Sequence, residues 1–451
     1  MAARVVTPVS RRASSGAPGP AAASFSDLLR SPRAAGFAAA LLALAILAGP
    51  VRAQLPIEET GRSLTLPTEI GDHWFWVSDF VLSRAALFDA DTATMLGMVQ
   101  GGPELRPLYP RVSRKRGEIY VVETMYSRGH RGERTDLVTI YDSTTLDVLG
   151  DVVVPPRTAD GNLGPNIAAV LEGDRFLAAL NQDPGTSVTI VDLESRKVAS
   201  VIDTAGCALI YPAGRLRFAM LCGDGKAMLV TLGNDGNEAS RTQSEKFFDA
   251  TDNPVSDKGA RLGDSWYFTT YDGQVHEVDV SGDVPAPREA WSLVTNSERE
   301  RGWRPGGRQH LAIHEASGRL YSIMHEGAPG THKKPGYEIW VYDLATKKRI
   351  QRIDVTNLLI PFLITQASFS TTMESGEEQS DSWLDSVARA VMGMIIPSPG
   401  ADTVVVTPDD APLLIVGNGE VGAVAVFDAM SGEHLRDVAP SGIAGGGLTV
   451  Q

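Results

Sequence analysis

The chain has 451 residues, with 45 Gly, 27 Pro, 43% hydrophobic and 21% charged residues, and a formal net charge of −14. That length is ample for a large core, and so much Gly and Pro points to many short strands joined by turns rather than stacked helical domains. A surface this acidic repels phosphate backbones and argues against nucleic acid as a partner.

Residues 1–33 carry five Arg and one acid, Asp27; the apolar run Ala34 to Gly49 follows, and then the small-x-Ala ending Val51-Arg52-Ala53. These are the parts of a secretory signal peptide, with cleavage expected after Ala53. The run is short for a bilayer span of about 20 residues, so no membrane span is expected in the mature chain, 54–451. Removing six Arg and one Asp takes the formal charge from −14 to −19.

From there one segment type recurs: an alternating hydrophobic strand, an Asp, a short polar turn and another strand. The seven copies lead into their turns at Asp89, Asp142, Asp192, Thr231, Asp279, Asp343 and Asp428. An Asp or Thr oxygen at a strand end accepts backbone N–H groups two or three residues on, while Gly, Asn or Ser tolerates the tight turn. The spacing surrounds the roughly 40–50 residues of a propeller blade, so each copy is read as the outer hairpin of a four-stranded unit. The expected fold is all-β, a seven-bladed β-propeller.

Between the hairpins, the charged loop "RGHRGERTD" (Arg128 to Asp136) is expected to form salt bridges within its own turn, the alternative being that it lines an interface, and "CGDGK" (Cys222 to Lys226) to be a hairpin turn. Cys207 and Cys222 are the only cysteines, separated by a strand, a Pro-Ala-Gly turn and a strand. In an oxidising compartment such a pair is most simply a structural disulfide across a hairpin; a redox pair would more often be C-x-x-C, and a metal site needs more ligands.

The stretch Arg301 to Asp343 holds four of the eight histidines. His310 and His314 are spaced like a helical metal pair but lie on a predicted strand, where four residues span roughly 13 Å, too far for one ion. Trp303 to Gly307 reads as the loop into an inner strand, and His332 as part of a Gly/Pro-bracketed loop at a blade edge. No catalytic residue and no metal site is expected, and neither a G-x-S-x-G elbow, a Walker loop, a dinucleotide fingerprint nor a haem-attachment motif occurs.

The last repeat interval is long by about 40 residues relative to a blade. Its excess, 358–401, is read as a short helical insertion before the last blade, with Trp383, Leu384, Val387, Val391, Met394 and Ile395 on one side of a helix. That helix either packs on its own propeller or docks to a partner or a membrane surface.

Four strings carry a family resemblance: "TMYSRGHRGERTDLVTIYD", "GCALIYPAGRLRFAMLCGDGK", "WSLVTNSERERGWRPGGRQHLAIHEASGRLYSIMHEG" and "GTHKKPGYEIWVYDLATKKRI". They resemble the heavy subunit of the quinoprotein amine dehydrogenases, both methylamine and aromatic amine dehydrogenase, from about residue 65 onward with 358–401 outside. The resemblance implies a periplasmic seven-bladed propeller, with Cys207 and Cys222 at the positions of the family's intrachain disulfide. It implies an α2β2 assembly in which a light subunit carries tryptophan tryptophylquinone and the catalytic base, with no cofactor in this chain. Primary amine would be oxidised to aldehyde and ammonia, and electrons would pass to a cupredoxin, amicyanin- or azurin-like, or to a cytochrome c. In the family a Phe after the first outer hairpin narrows the substrate channel; here that loop is "GGPELRPLYP" (Gly101 to Pro110), without Phe, and Leu105, Leu108 and Tyr109 are the candidates for its place. The alternative is an exported propeller that serves as a binding or assembly scaffold without dehydrogenase activity.

Overall fold

A computed structural model of the chain describes residues 65–102, 107–159, 164–356, 358, 400–438 and 447–450. Packing divides the chain between Glu58 and Glu59, and every described residue belongs to the second unit. The proposed leader 1–53 and the helix within 358–401 lie outside the described residues.

Seven antiparallel sheets follow one another along the chain, each running from an inner to an outer strand. Blade 2 shows the plan: Arg111–Ser113, Glu118–Tyr126, Arg134–Asp142 and Val148–Val154 pair in sequence order. Inner strands of neighbouring blades contact one another and form the wall of the axis. The ring is closed in blade 1, where the inner strand Gly447–Val450 comes from the C-terminal end and pairs with Trp74–Asp79, Phe75 facing Val450 and Ser78 facing Gly447. The expected seven-bladed propeller is the observed one.

The core sits between blades. Phe75, Phe88, Ile415, Val424 and Val426 form one apolar cluster, and Trp76, Leu87, Leu108, Ile119 and Val121 another. Second strands such as Phe176–Asn181 and Leu413–Asn418 are buried throughout because both faces meet a neighbouring blade. Outer strands such as Lys348–Asp354 alternate exposed and half-buried residues, as a strand with one covered face does.

The predicted turns sit at the ends of the third strands. Asp142 Oδ1 accepts from the N–H groups of Thr144 at 2.8 Å and Thr145 at 2.9 Å, and Asp428 Oδ1 from Met430 at 3.0 Å and Ser431 at 2.6 Å. In blades 1, 2, 3, 6 and 7 the register shifts just before the Asp, a bulge that adds twist before the chain reverses. Those same turns have a left-handed residue four positions after the Asp: Ala93, Leu146, Arg196, Lys347 and Gly432, with φ between 53° and 76°. Glycine therefore occupies this position only in blade 7 of the five. In blade 4, where Thr231 takes the place of the Asp, it is Asp235 that accepts from Asn237 N–H, at 3.1 Å.

Three local expectations change. Trp303–Pro305 is not a loop but a strand paired with Met324 to Glu326, and after a break at Gly306 to His310 the strand Leu311–His314 continues the inner edge. The helix α1 (Asn296–Glu300) was not anticipated; Thr295 and Glu298 form a reciprocal capping box at its start. Leu358 and Ala401 both belong to the apolar core between blades 6 and 7, so the inserted segment begins after the first and ends before the second. On either side of it the described residues form the outer strand Lys348–Asp354 of blade 6 and the inner strand Thr403–Val406 of blade 7.

Candidate functional site

Strand order assigns the loops to two opposite ends. The Asp turns occupy one end, with the turns that join each blade's inner strand to its second strand. At the other, here the crossover end, lie the connections from each outer strand to the next inner strand and the turns between second and third strands. The crossover end holds Gly101, Gly102 and the stretch Pro107 to Pro110, the turn after Tyr126, the Cys207–Cys222 pair, both stems of the insertion and most of the histidine-rich stretch.

At its centre, side chains from six blades, 2 to 7, converge. Asp257, ahead of the inner strand of blade 5, offers its carbonyl to Asn166 Nδ2 at 2.9 Å and to the Tyr211 hydroxyl at 2.8 Å. Its carboxylate pairs with Lys258. Tyr109 from blade 2 is buried among groups of other blades; burial pushes its hydroxyl far above the ordinary phenol range, opposed by Arg111 and Arg308. Arg111 donates to the Pro165 carbonyl, and burial lowers its guanidinium to about 10. Arg308 pairs with Asp402 at 2.6 Å, a carboxylate that also accepts from Gly419 N–H at 3.0 Å. Burial raises the Asp402 carboxyl from its ordinary value, against the pull of Arg308.

His310 closes this cluster. Its Nε2 contacts Thr269 Oγ1, and burial, the largest cause, lowers its pKa to about 4, so the imidazole is neutral near pH 7. The arrangement is a polar plug of fixed donors and acceptors at the axis. Among the described residues no three His, Cys, Asp or Glu side chains gather where they could hold a metal ion.

The other histidines are dispersed. His314 Nδ1 meets Ser317 Oγ at 2.8 Å and its Nε2 the Asp409 carbonyl at 2.9 Å, partners unrelated to those of His310. His325 Nε2 contacts Thr331 Oγ1 at 2.8 Å, and burial followed by the Arg304 charge lowers it to about 4. His332 lies in the loop before Glu338–Asp343 and stacks flat on Tyr271 of blade 5, ring centroids 3.5 Å apart. Farther out, Trp303 and Trp340 stand 4.9 Å apart; Arg349 lies 4.1 Å over the Trp340 ring, and Glu298 holds Arg349 at 2.7 Å and Arg352 at 2.8 Å. Trp340 is fully buried.

Of the channel candidates, Leu105 lies outside the described residues. Leu108 is 2% exposed in the core between blades 1 and 2, with its carbonyl accepting from Ser78 Oγ, whereas Tyr109 reaches the axial plug. The expected disulfide is present, Cys207 facing Cys222 directly across two strands. Cys222 to Lys226 is the expected turn, with Gly225 at φ +87°. The salt bridge expected within 128–136 is Arg134 to Asp136 at 2.7 Å, but it lies on the strand and also binds Thr158. Sequence reading missed Asp257, Arg308 and the role of His310. The Gly306-Gly307 pair was the available signal: a Cβ at Gly307, φ +101°, would meet the Asp402 backbone at 2.6 Å.

The fold and this end define a class: a seven-bladed propeller whose irregular loops gather at one mouth of the axis. The chain belongs to the methylamine dehydrogenase heavy chain family, whose profile matches residues 77–371. That match runs into the first part of the 358–401 segment, which had been expected to lie outside the resemblance. The chain is 30% identical over 280 residues to the methylamine dehydrogenase heavy chain of Methylorubrum extorquens, covering 61% of this chain and 66% of that one. To the heavy chain of Methylophilus methylotrophus it is 24% identical over 364 residues, covering 75% and 87%. A solved structure of a functionally unknown protein from Desulfotomaculum acetoxidans aligns with TM-score 0.53 at 12% identity, covering 84% of this chain and 98% of that one, a likeness of fold alone.

Proposed function

We propose that this chain is the heavy subunit of a periplasmic amine dehydrogenase that oxidises a primary amine to aldehyde and ammonia. The observation that carries the reading is the family match across 77–371, over blades that present one continuous loop-rich end. Tryptophan tryptophylquinone, on a light subunit, supplies the electrophilic carbonyl and accepts the electrons. This chain holds that subunit in an α2β2 assembly, excludes water around it and shapes the amine's path, with Tyr109 as the channel candidate that joins the axial cluster. A cupredoxin or cytochrome c takes the electrons. The relatives' names support methylamine as the amine, whereas an aromatic amine finds support in the strings 222–226 and 330–335. Export by the leader 1–53 and a disulfide at Cys207–Cys222 support the periplasm. The test is purification of the native complex, with amine added to its visible chromophore; activity with methylamine against a phenylethylamine decides the branch.

A further inference from the structure

Between blades 5 and 6 the crossover end carries an open cleft of about 530 Å³, bordered by Asp272, Arg299, Glu300, Arg301 and Arg304 with Gly327 at its rim. Three guanidinium groups on one small surface are notable in a chain of net charge −14, and the two acids do not match them. Asp272 is already engaged, accepting from Thr270 Oγ1 and from Asn253 Nδ2 at 3.0 Å. Arg304 is only 9% exposed, yet among the described residues it has no carboxylate partner; its one side-chain hydrogen bond is from Nε to the Gly302 carbonyl at 3.3 Å. Arg299 gives Nη2 to Ser292 Oγ at 2.9 Å, and its Nε is buried without a partner.

A buried guanidinium held without a counter-charge is costly, because desolvation is not offset by pairing. The cleft is also kept narrow by backbone. Gly302, at φ +92°, donates to Arg299 O and accepts from Gly327 N–H at 3.0 Å, and a Cβ on Gly302 would meet the Gly327 carbonyl at 3.0 Å. A Cβ on Gly327 would in turn meet Thr331 Oγ1 at 2.5 Å. Glycine at both positions lets the two segments close beside Arg304 without side chains filling the space. The planar fork of Arg matches two oxygens of one carboxylate or phosphate.

We propose that this cleft is a binding site for a small oxyanion, a carboxylate or phosphate, held bidentately by Arg304 and flanked by Arg299 and Arg301. The cleft lies on the end that the proposed function gives to the light subunit, so it is tested on this chain free of that subunit, and failure to bind an anion would leave the amine dehydrogenase reading untouched. Titration calorimetry on the full chain in chloride buffer, with inorganic phosphate in one arm and acetate in the other, tests it. Saturable binding at one site per chain is expected, weakened roughly tenfold or more in Arg304→Gln and unchanged in Arg288→Gln, an exposed arginine on another part of blade 5. Arg304→Lys, which keeps the charge but loses the fork, should fall between, and matching circular dichroism shows that the variants fold. Tighter binding in one arm identifies phosphate or carboxylate as the ligand. No saturable heat with either anion, or equal affinity in wild type and Arg304→Gln, overturns the proposal.

Discussion

Cys207 and Cys222 face each other directly in the first two strands of blade 4, so their bridge ties the start of an inner strand to the end of its partner. Replacing either by Ser is expected to lower stability by roughly 2–4 kcal/mol, read as a lower melting temperature that reductant reproduces in the wild type. An unchanged melting temperature under reductant contradicts a stabilising role. Acid acts on other side chains. Burial holds His310 and His325 at about 4, below the ordinary 6.5, so between pH 6.5 and 4 the unfolded chain binds protons that the folded chain refuses. Glu298 is the reverse chemistry with the same sign: burial raises its pKa, but hydrogen bonds from Arg349 and Thr295 outweigh it and hold it at about 2, below the ordinary 4.5. Its stabilisation is complete above pH 4.5 and is lost as pH falls toward 2. Urea midpoints should therefore decline from pH 7 to 4 and again below 4.5, the second decline shallower in Glu298→Gln; a flat profile from pH 7 to 4.5 contradicts the histidine account.

The Asp turns show how much of each element could be read from composition. A strand-terminal Asp with Ser or Thr close behind announces its own hydrogen bonds, and the observed acceptors at Asp142, Asp343 and Asp428 are those expected. What the pattern hid was the left-handed position four residues on, because Leu146, Arg196 and Lys347 carry no signature of positive φ. An L-residue there costs about 1–2 kcal/mol, partly returned on changing to Gly as unfolded-chain entropy. Lys347→Gly should thus stabilise by about 0.5–1 kcal/mol, measured by urea unfolding, and a loss would contradict the strain. Gly432→Ala should destabilise by about 1 kcal/mol or more, since an added Cβ would also meet Gln351 Nε2 at 2.7 Å and Ile353 Cγ1 at 2.8 Å. The split inner edge of blade 6 was hidden for a related reason: a Pro-Gly-Gly run reads as loop, yet Trp303–Pro305 pairs because Gly306 and Gly307 absorb the bend after it.

At the scale of the whole molecule, repeats made the ring legible, because each blade carries its own hairpin signal. The axial cluster was not legible. Tyr109, Asp257 and the pair Arg308 and His310 lie on irregular connections of three different blades, and only closure of the ring by Gly447–Val450 brings those connections to one axis. All seven sheets are complete without the segment between Leu358 and Gly400. Deleting 374–396 should accordingly leave a cooperative thermal transition within a few degrees of the full chain; loss of cooperativity would make that segment part of the core. The proposed second subunit rests on membership of the methylamine dehydrogenase heavy chain family and on the placement of irregular loops at one end. The most direct measurement is native mass spectrometry of the protein purified gently from the periplasm, with its absorbance spectrum before and after addition of amine. Two copies of this chain with two small subunits, and a visible band bleached by amine, is the predicted result. A lone chain without a visible chromophore would contradict it and leave a propeller scaffold without dehydrogenase activity.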